Sequence, residues 1–595
     1  MHTMLLPAII LAGLNMLNTP DQNLPEGYWP DSKVREILQQ TQHITLAPDL
    51  AGLSEAERRA LPQLLAAGEI MNTLYERQLH ADAENARHAL LQLHEASGTS
   101  QATQNLLDLY YLSKGPIVTT LDNQRVPFLP AAAFSPARNV YPAGVSRESF
   151  DRFLAMNNGA ADRILAERSI VRAAAQAADD LGQLAHYPEV AAMHPGLQEE
   201  LGAIAASGQP AYYAIPYALA YAAELKEARS HLAAAATILQ SESRDFAQYL
   251  RARSRDFLSS DYEAGDAAWV TGTFAGLNLQ IGSYETYDDG LYGVKAFYGA
   301  SILARDHDRS VRLESAMQHL QEIENSLPYE AHKRVRGDIP VGVYNVIADF
   351  GQARGANTAS ILPNDADHTR KYGRTILLRY NLLANAEIFA NNQAQFAAAT
   401  ADEFHDHLSL DGRFNRTLWH EVGHYLGVDR TRDGRDLDIA LAELASLFEE
   451  MKSDLVSLYA APALRDLGYY DKQSLRAVYA DGIFRTLNQV RPQRLQPYQT
   501  MQLMQFNYFL ANGLLRYDRL KKVLVIDYER YHDVVSALLA EVLDIQYAGD
   551  LQRARDFVDR WTSWRTVPHQ ALAKRLNSHS PYSRTLVRYA ILEAQ

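Results

Sequence analysis

The sequence predicts a mainly α-helical protein with a small β component (α+β), arranged as two lobes. Three observations support this fold class. Apolar residues recur three and four positions apart over most of the chain, as they do on the buried face of helices. Short runs rich in β-branched and aromatic residues cluster in the middle of the chain, as strands do. With 595 residues, the chain exceeds the size at which a single hydrophobic core stops growing, so at least two packing units are expected.

The composition is that of an ordinary folded protein, with 47% hydrophobic and 22% charged residues. Asp and Glu outnumber Lys and Arg by 71 to 57, which gives a net charge of -14. Because no concentrated basic stripe could neutralise a phosphate backbone, we expect no nucleic-acid partner. The chain has no cysteine, so any metal must be bound by His, Asp and Glu. The oligomeric state is left open.

Residues 1–44 are interpreted as an N-terminal extension with a candidate signal region and a linker. The apolar run at residues 5–17 is too short to cross a bilayer, so no stable membrane span is expected, but it has the length of a signal-peptide core. No Lys or Arg precedes this run. The polar stretch after it favours export to the periplasm, and the cytoplasm is the alternative location.

The rest of the chain is divided into three regions. Residues 45–260 are predicted to form a mostly helical lobe, interrupted by a Pro- and Gly-containing passage at 115–144. Residues 261–403 are predicted to be a mixed region that binds substrate, with strand-like runs at 267–287, 338–350 and 374–385. Residues 404–595 return to helical periodicity and carry the candidate catalytic residues.

The stretch "WHEVGHYLG" at residues 419–427 carries the strongest chemical signal. His420 and His424 are four positions apart, so on a helix they differ by about 40° and can bind one metal ion. Glu421 lies one step round the helix, where a carboxylate can take a proton from a water that zinc has made acidic. Gly427 is predicted to end this helix. The pattern matches the H-E-x-x-H signature of zinc proteases.

The third metal ligand has several candidates. The metzincin pattern requires a third histidine, but this chain has Arg430 there, with Asp429 one position early, so that scheme is rejected. The following segment, residues 436–460, is predicted to be one amphipathic helix that carries Glu443 and Glu450 seven positions apart. Spacing alone does not choose between these two glutamates, and an acidic helix face that is simply solvated is a further alternative.

At this point the sequence resembles the dipeptidyl peptidase III family of zinc exopeptidases. The segment "EEMKSD" at residues 449–454 is similar to the family's E-E-C-R-A-E/D helix, and the five-residue HEVGH form is the shorter variant of its histidine motif. The resemblance implies that Glu450 is the third zinc ligand, with one zinc ion per chain. It also implies that Glu449 and Asp454 orient the ligating histidines.

Two further segments are similar to segments that bind substrate in this family. "IGSYETYDDGLYG" is similar to the family's E-S-Y-x-D-x-x-G segment, which implies that Glu285 binds the free α-amino group of a peptide and that Tyr287 contacts the scissile carbonyl. "SILPN" is similar to N-I-P-N, so Asn364 matches the second asparagine of that segment. Ile361 stands where the first asparagine should be.

One departure concerns catalysis. The family's H-M-Q-A-R-F segment reads "TMQLMQF" here, with Thr500 at the histidine and Met504 at the arginine. Neither residue supplies a cation to an oxyanion, and losing one such donor typically costs roughly 10²–10³ in rate. The expected function is a zinc-dependent metallopeptidase that hydrolyses peptides from a free N-terminus, with zinc at the cleft between the lobes. The alternatives are a zinc hydrolase of another substrate and a catalytically weak peptide-binding protein.

Overall fold

A computed structural model describes residues 24–157, 159, 161–335, 340–355, 358–363, 368, 371–492, 497–580 and 582–593. The chain divides into two compact units. The smaller unit consists of residues up to 39 together with 82–134, and the larger unit contains residues 40–81 and everything from 135 onward. The boundaries predicted at residues 44, 260 and 403 stay predictions.

The strands of the described residues are, in chain order, β1 (Thr41–Leu46), β2 (Ile117–Thr119), β3 (Arg125–Pro127), β4 (Ser169–Ala173), β5 (Tyr212–Pro216), β6 (Leu277–Glu285), β7 (Phe297–Arg305), β8 (Val341–Gly351), β9 (Ala359–Leu362), β10 (Thr375–Arg379), β11 (Leu515–Asp518), β12 (Val523–Ile526) and β13 (Arg584–Tyr589).

The α-helices of the same residues are α1 (Asp31–Leu38), α2 (Glu55–Leu79), α3 (Ala83–Ala96), α4 (Gln101–Ser113), α5 (Arg147–Met156), α6 (Ala161–Ile164), α7 (Ala177–His186), α8 (Pro188–Met193), α9 (Leu197–Ser207), α10 (Tyr217–Ala220), α11 (Ala222–Leu239), α12 (Arg244–Ser259), α13 (Glu263–Thr271), α14 (His307–Met317), α15 (Leu320–Ser326), α16 (Tyr380–Leu383), α17 (Ala386–Ala399), α18 (Leu410–Gly423), α19 (Leu437–Leu441), α20 (Ala445–Tyr459), α21 (Ala461–Asp466), α22 (Lys472–Arg485), α23 (Pro497–Ala511), α24 (Tyr531–Ala548), α25 (Leu551–Trp561), α26 (Ala571–His579) and α27 (Ala590–Glu593).

The smaller unit packs α1, α3 and α4 with the β2–β3 hairpin around its own apolar core. Leu90, Leu106, Leu109 and Phe128 are fully buried in that core. Each of these elements is too short to be stable alone, so the unit depends on their joint burial of apolar surface.

A five-stranded sheet organises the larger unit, in the order β6-β7-β8-β10-β9. β10 runs parallel to β8, and the other neighbours are antiparallel. One apolar core packs α2, α11 and α12 against the sheet, and a second core packs α14, α18, α20 and α24 against the ends of β8 and β10. Both faces of the sheet are covered, so nearly every residue of β6, β7 and β8 is buried, including polar ones such as Asn278 and Gln280.

A second, smaller pairing joins distant parts of the larger unit. β1 runs parallel to β13, with Thr41 opposite Arg584 and Leu46 opposite Tyr589. None of the helices among the described residues combines the length and the apolar character that crossing a membrane requires.

The predicted fold class is confirmed, with differences in single elements. The helix predicted over residues 436–460 is broken, because Ala442 has a φ of 47° and a 3₁₀ turn separates α19 from α20. The apolar residues assigned to the core stripe of that helix are nonetheless buried, among them Leu441, Leu447, Met451 and Leu458. The sheet also contains β7, which lies outside the strand-like runs of the sequence, and the C-terminal region contains β11, β12 and β13 besides its helices.

The helix that carries the HEVGH motif, α18, crosses α20 at very short range. A Cβ atom on Gly423 would lie 2.7 Å from the backbone oxygen of Ser453 and 3.0 Å from its Cα. Only glycine allows this approach, because the contacting atoms are backbone and cannot swing away. The crossing fixes how close the histidines of α18 can come to the carboxylates of α20.

Gly423→Ala should lower the thermal unfolding midpoint, because overpacking a tight contact costs about 1–3 kcal/mol. Gly202→Ala is the matched control, since Gly202 also lies in a helix and a Cβ there meets nothing within 4 Å. It should leave the midpoint unchanged or slightly raised, because alanine favours helix more than glycine does. Equal midpoints for the two variants would mean that α18 and α20 separate without cost.

Candidate metal centre

The two histidines of the motif lie at the end of α18. Ser409 caps the start of this helix by accepting a hydrogen bond from Gly412 N at 3.0 Å. At its other end the helix stops at Gly423, and the next three amides donate to carbonyls three residues back, as in a 3₁₀ turn. The prediction that Gly427 ends the helix is therefore wrong. Gly427 instead adopts a φ of +81° in the following turn and donates its N–H to Glu324 Oε2 at 2.8 Å.

His420, His424 and Glu450 converge on one point. Oε2 of Glu450 lies 3.1 Å from His420 Nε2 and 3.8 Å from His424 Nε2. Each of the three residues offers one ligand atom, and the three atoms lie within 4.8 Å of one another. Oε2 of Glu450 is buried and has no hydrogen-bond partner among the described residues. Two imidazole nitrogens and one carboxylate oxygen with free lone pairs are the donor set that zinc takes in catalytic sites, so the residues fit the ion.

The second nitrogen of His420 faces a carboxylate that is completely buried. Nδ1 of His420 lies 3.2 Å from Asp454 Oδ1, and Asp454 is 0% exposed. Arg416 contacts the same oxygen, and Gln505 donates from Nε2 to the other oxygen at 2.8 Å. This arrangement fixes the ring of His420 with Nε2 turned towards Glu450.

His424 is held in a similar way by residues of α20. Its Nδ1 lies 2.9 Å from Glu449 Oε1 and 2.9 Å from Ser453 Oγ. Lys452 lies 2.8 Å from the same oxygen of Glu449 and also donates to two backbone carbonyls at the end of α18, at 3.1 and 2.8 Å. Glu449 thus contacts His424, and Asp454 contacts His420.

The surroundings set the protonation of the ligands. Burial lowers the pKa of His420 to about 4, so its ring is neutral at pH 7, as metal binding requires. Burial alone would raise the pKa of Glu449, but the Lys452 ammonium and then His424 outweigh it and hold that pKa at about 2. For Glu450, burial likewise acts to raise the pKa, and the adjacent imidazole of His420 outweighs burial and lowers the pKa below its usual value.

Glu421 lies beside the cluster without belonging to it. Burial raises the pKa of its carboxyl group, an effect that the charge of His424 opposes. In the described part of the chain its side chain is not tied into a hydrogen bond. A carboxylate with a raised pKa beside a candidate metal site has the properties of a general base.

Tyr498 is a residue of this centre that the sequence reasoning missed. It lies in the first turn of α23, and its hydroxyl donates to Glu450 Oε1 at 3.0 Å. Thr500 and Met504, the residues at the family's histidine and arginine positions, are 1% and 0% exposed. Tyr498 belongs to no sequence motif of metal ligands. It lies beside Glu450 because of the way α23 packs against α20.

The other acidic residues considered as third ligand lie away from His420, His424 and Glu450. Glu443 is on the surface and forms an ion pair with Arg555 at 2.7 Å. The break at Ala442 turns Glu443 away from the face that carries Glu450, so the seven-residue spacing does not align the two glutamates. Asp429 is exposed and pairs with Lys333.

The predicted substrate-binding residues lie at the end of β6. The register of β6 against β7 shifts between Ser283 and Glu285, so Glu285 follows a β-bulge, a feature that often re-aims side chains beside functional sites. Tyr287 lies two residues further on and is 61% exposed. Among the described residues no hydrogen bond or ion pair joins Tyr287 to His420, His424 or Glu450. Asn364 lies outside the described residues, and Ile361 lies in β9.

The turn that carries Tyr287 is fixed by two aspartates. Asp288 accepts hydrogen bonds from Tyr75 Oη at 3.0 Å and Gln352 Nε2 at 2.7 Å. Asp289 accepts from four backbone amides between residues 291 and 295, at 2.9 to 3.1 Å, and from Tyr141 Oη at 2.8 Å. The backbone around Tyr287 is therefore held in place, although its ring is exposed.

Comparison with known proteins places this arrangement in a known fold. The structure is similar to that of dipeptidyl peptidase III from Caldithrix abyssi, with a TM-score of 0.80 and 23% identity over 94% of this chain and 99% of that one. It is also similar to dipeptidyl-peptidase III from Corallococcus sp. strain EGB, with a TM-score of 0.72 and 23% identity over 95% and 98% of the two chains. The chain has the dipeptidyl peptidase III fold.

Sequence comparison adds a further relative at low identity. The chain is 25% identical over 567 residues to a protein named Nudix hydrolase 3 from Arabidopsis thaliana, and the match covers 89% of this chain and 70% of that protein. No protein-family model matches the chain.

Glu450→Gln should weaken zinc binding at least about 10-fold, because an amide oxygen carries no charge to offset that of the cation. Glu443→Gln is the control, since it removes the charge of the rejected candidate at a surface position. It should bind as much zinc as the wild type, which we expect to hold about one ion per chain, as measured by elemental analysis after dialysis. The opposite pattern in the two variants would assign the third ligand to Glu443.

Proposed function

We propose that this protein is a zinc-dependent peptidase of the dipeptidyl peptidase III type that cleaves short peptides from a free N-terminus. The observation that carries the proposal is the convergence of His420, His424 and Glu450 on one point, with Glu421 beside them. The dipeptidyl peptidase III fold supports the same conclusion. Zinc fits this donor set, and one ion per chain is proposed.

The proposed chemistry divides between the ion and the chain. Bound zinc would supply a Lewis acid that acidifies water and polarises a peptide carbonyl. Glu421 accepts a proton from the attacking water and then delivers it to the departing amine, which its raised pKa favours. Asp454 and Glu449 hold the Nδ1 atoms of the two histidines through contacts of 3.2 and 2.9 Å, which leaves each Nε2 available to a metal ion. Water attack breaks the peptide bond and leaves a carboxylate and an amine.

The end of the substrate that the protein is proposed to recognise is the N-terminus of the peptide. Glu285 would pair with the substrate ammonium group, and Tyr287 would donate its phenolic proton to the scissile carbonyl. Peptides are thus the proposed partners of this chain. Because Thr500 and Met504 supply no cation, cleavage should be slower than in enzymes that carry both charges.

A zinc hydrolase of another substrate is the second candidate. It is favoured by the neutral residues Ile361, Thr500 and Met504, which stand where the resemblance expects polar or cationic groups. A peptide-binding protein without catalysis is less well supported, because binding alone needs no base such as Glu421 beside the metal ligands.

Glu421→Gln should keep the zinc and lose about 10²- to 10⁴-fold in kcat on a short peptide, because the amide preserves size but does not accept a proton. Zinc content and turnover are measured on the same preparation, so that loss of metal is separated from loss of the base. Glu443→Gln again serves as the control and should turn over like the wild type. Full turnover by zinc-loaded Glu421→Gln would assign the base to another residue.

N-terminal acetylation of a good peptide substrate should remove most of the activity, because it removes the ammonium charge that the Glu285 carboxylate is proposed to attract. Glu285→Gln should cleave the free peptide slowly and should discriminate little between the free and acetylated forms. The measurement is kcat/KM for both peptides with both proteins.

Equal cleavage of free and acetylated peptides by the wild type would contradict the proposed N-terminal recognition. It would leave an endopeptidase on the same metal centre. Absence of cleavage of either peptide by the zinc-loaded wild type would favour the second candidate function.

A further inference from the structure

The two carboxylate oxygens of Glu450 have different surroundings. Oε2 is buried and points at the Nε2 atoms of His420 and His424. Oε1 accepts a hydrogen bond from the Tyr498 hydroxyl at 3.0 Å. One oxygen is thus turned to the metal position, and the other is occupied by a protein donor.

This division matters for the coordination of a cation. A carboxylate can bind zinc through one oxygen or through both. With two histidines and one carboxylate oxygen, zinc has three protein ligands and keeps a fourth position for water or substrate. If the second oxygen also bound, it would raise the coordination number and crowd that position.

The position of Tyr498 is set by the packing of α23 on α20. Tyr498 and Gln505 are seven residues apart, so they lie on one face of α23. Glu450 and Asp454 are four residues apart and share a face of α20. Tyr498 bonds to Glu450, and Gln505 bonds to Asp454 at 2.8 Å. The two helices are therefore registered against each other by two hydrogen bonds, each to a carboxylate of the metal centre.

The ring of Tyr498 contributes little to the core, because the residue is 48% exposed. Pro497 opens α23 and places Tyr498 in its first turn, a position that suits proline. Among the described residues, the hydrogen bond that this side chain makes is the one from its hydroxyl to Glu450. Loss of that hydroxyl should change the centre while leaving the fold intact.

We propose that Tyr498 is a positioning residue that keeps Glu450 bound to the metal through Oε2 alone and so preserves an open coordination position. The inference rests on the proposed function, since it requires that His420, His424 and Glu450 hold a metal ion. The proposal gives a role to Tyr498, which lies outside the sequence motifs that contain the proposed metal ligands.

The test compares the full-length wild type with Tyr498→Phe, each stripped of metal and titrated with Co²⁺. Four-coordinate Co²⁺ absorbs visible light more strongly than Co²⁺ with five or six ligands, so absorbance reports coordination number. Tyr498→Phe should show weaker visible bands and a metal affinity about 10-fold lower, the size expected when a partner of a ligand is removed. X-ray absorption on the zinc form counts the oxygen ligands independently.

Tyr508→Phe is the matched control, since it removes a tyrosine hydroxyl from the same helix at a buried position. It should bind Co²⁺ with the spectrum and affinity of the wild type. Identical spectra and affinities for Tyr498→Phe and the wild type would overturn the role of Tyr498 and leave the proposed function standing. Failure of the wild type to bind either metal would overturn the proposed function and this inference with it.

Discussion

The candidate metal centre depends on one close contact between two helices. α18 and α20 approach each other so closely at Gly423 and Ser453 that a single methyl group would not fit. That distance brings the imidazoles of α18 within reach of three carboxylates of α20. One of them belongs to the proposed ligand Glu450, and the other two, of Glu449 and Asp454, contact the histidines. Helix packing therefore requires glycine at position 423. This residue lies within the HEVGH motif, whose other named residues are candidates for metal binding and proton transfer.

Charge is balanced around the crossing in two chains of contacts. Arg416 and Asp454 stand behind one histidine, and Lys452 and Glu449 stand behind the other. Buried charges are costly unless each has a partner, so removing any one of these four would leave another unpaired. The side chains that orient the histidines are therefore also necessary for the stability of this part of the core.

The sequence predicts the parts of this centre that follow local rules. The four-residue spacing of His420 and His424 predicts a shared helix face, and the apolar stripe of the next helix predicts which of its sides is buried. The break at Ala442 follows no such rule, because alanine favours helix and only tertiary packing overrides that preference. The same holds for Tyr498, whose place beside Glu450 depends on how α23 packs. Contacts between segments that are far apart in sequence leave no local pattern, so the sequence does not predict them.

The parallel pairing of β1 with β13 has a consequence for the order of folding. Thr41 meets a partner about 540 residues later in the chain. At ~5–20 residues per second, a ribosome needs about 30–110 s to reach that partner after it has made β1. Collapse of the intervening helices takes far less time, so β1 waits with open edges while most of the larger unit forms around it. The rate of synthesis, and not the rate of chain collapse, sets the earliest moment at which this strand pair can close.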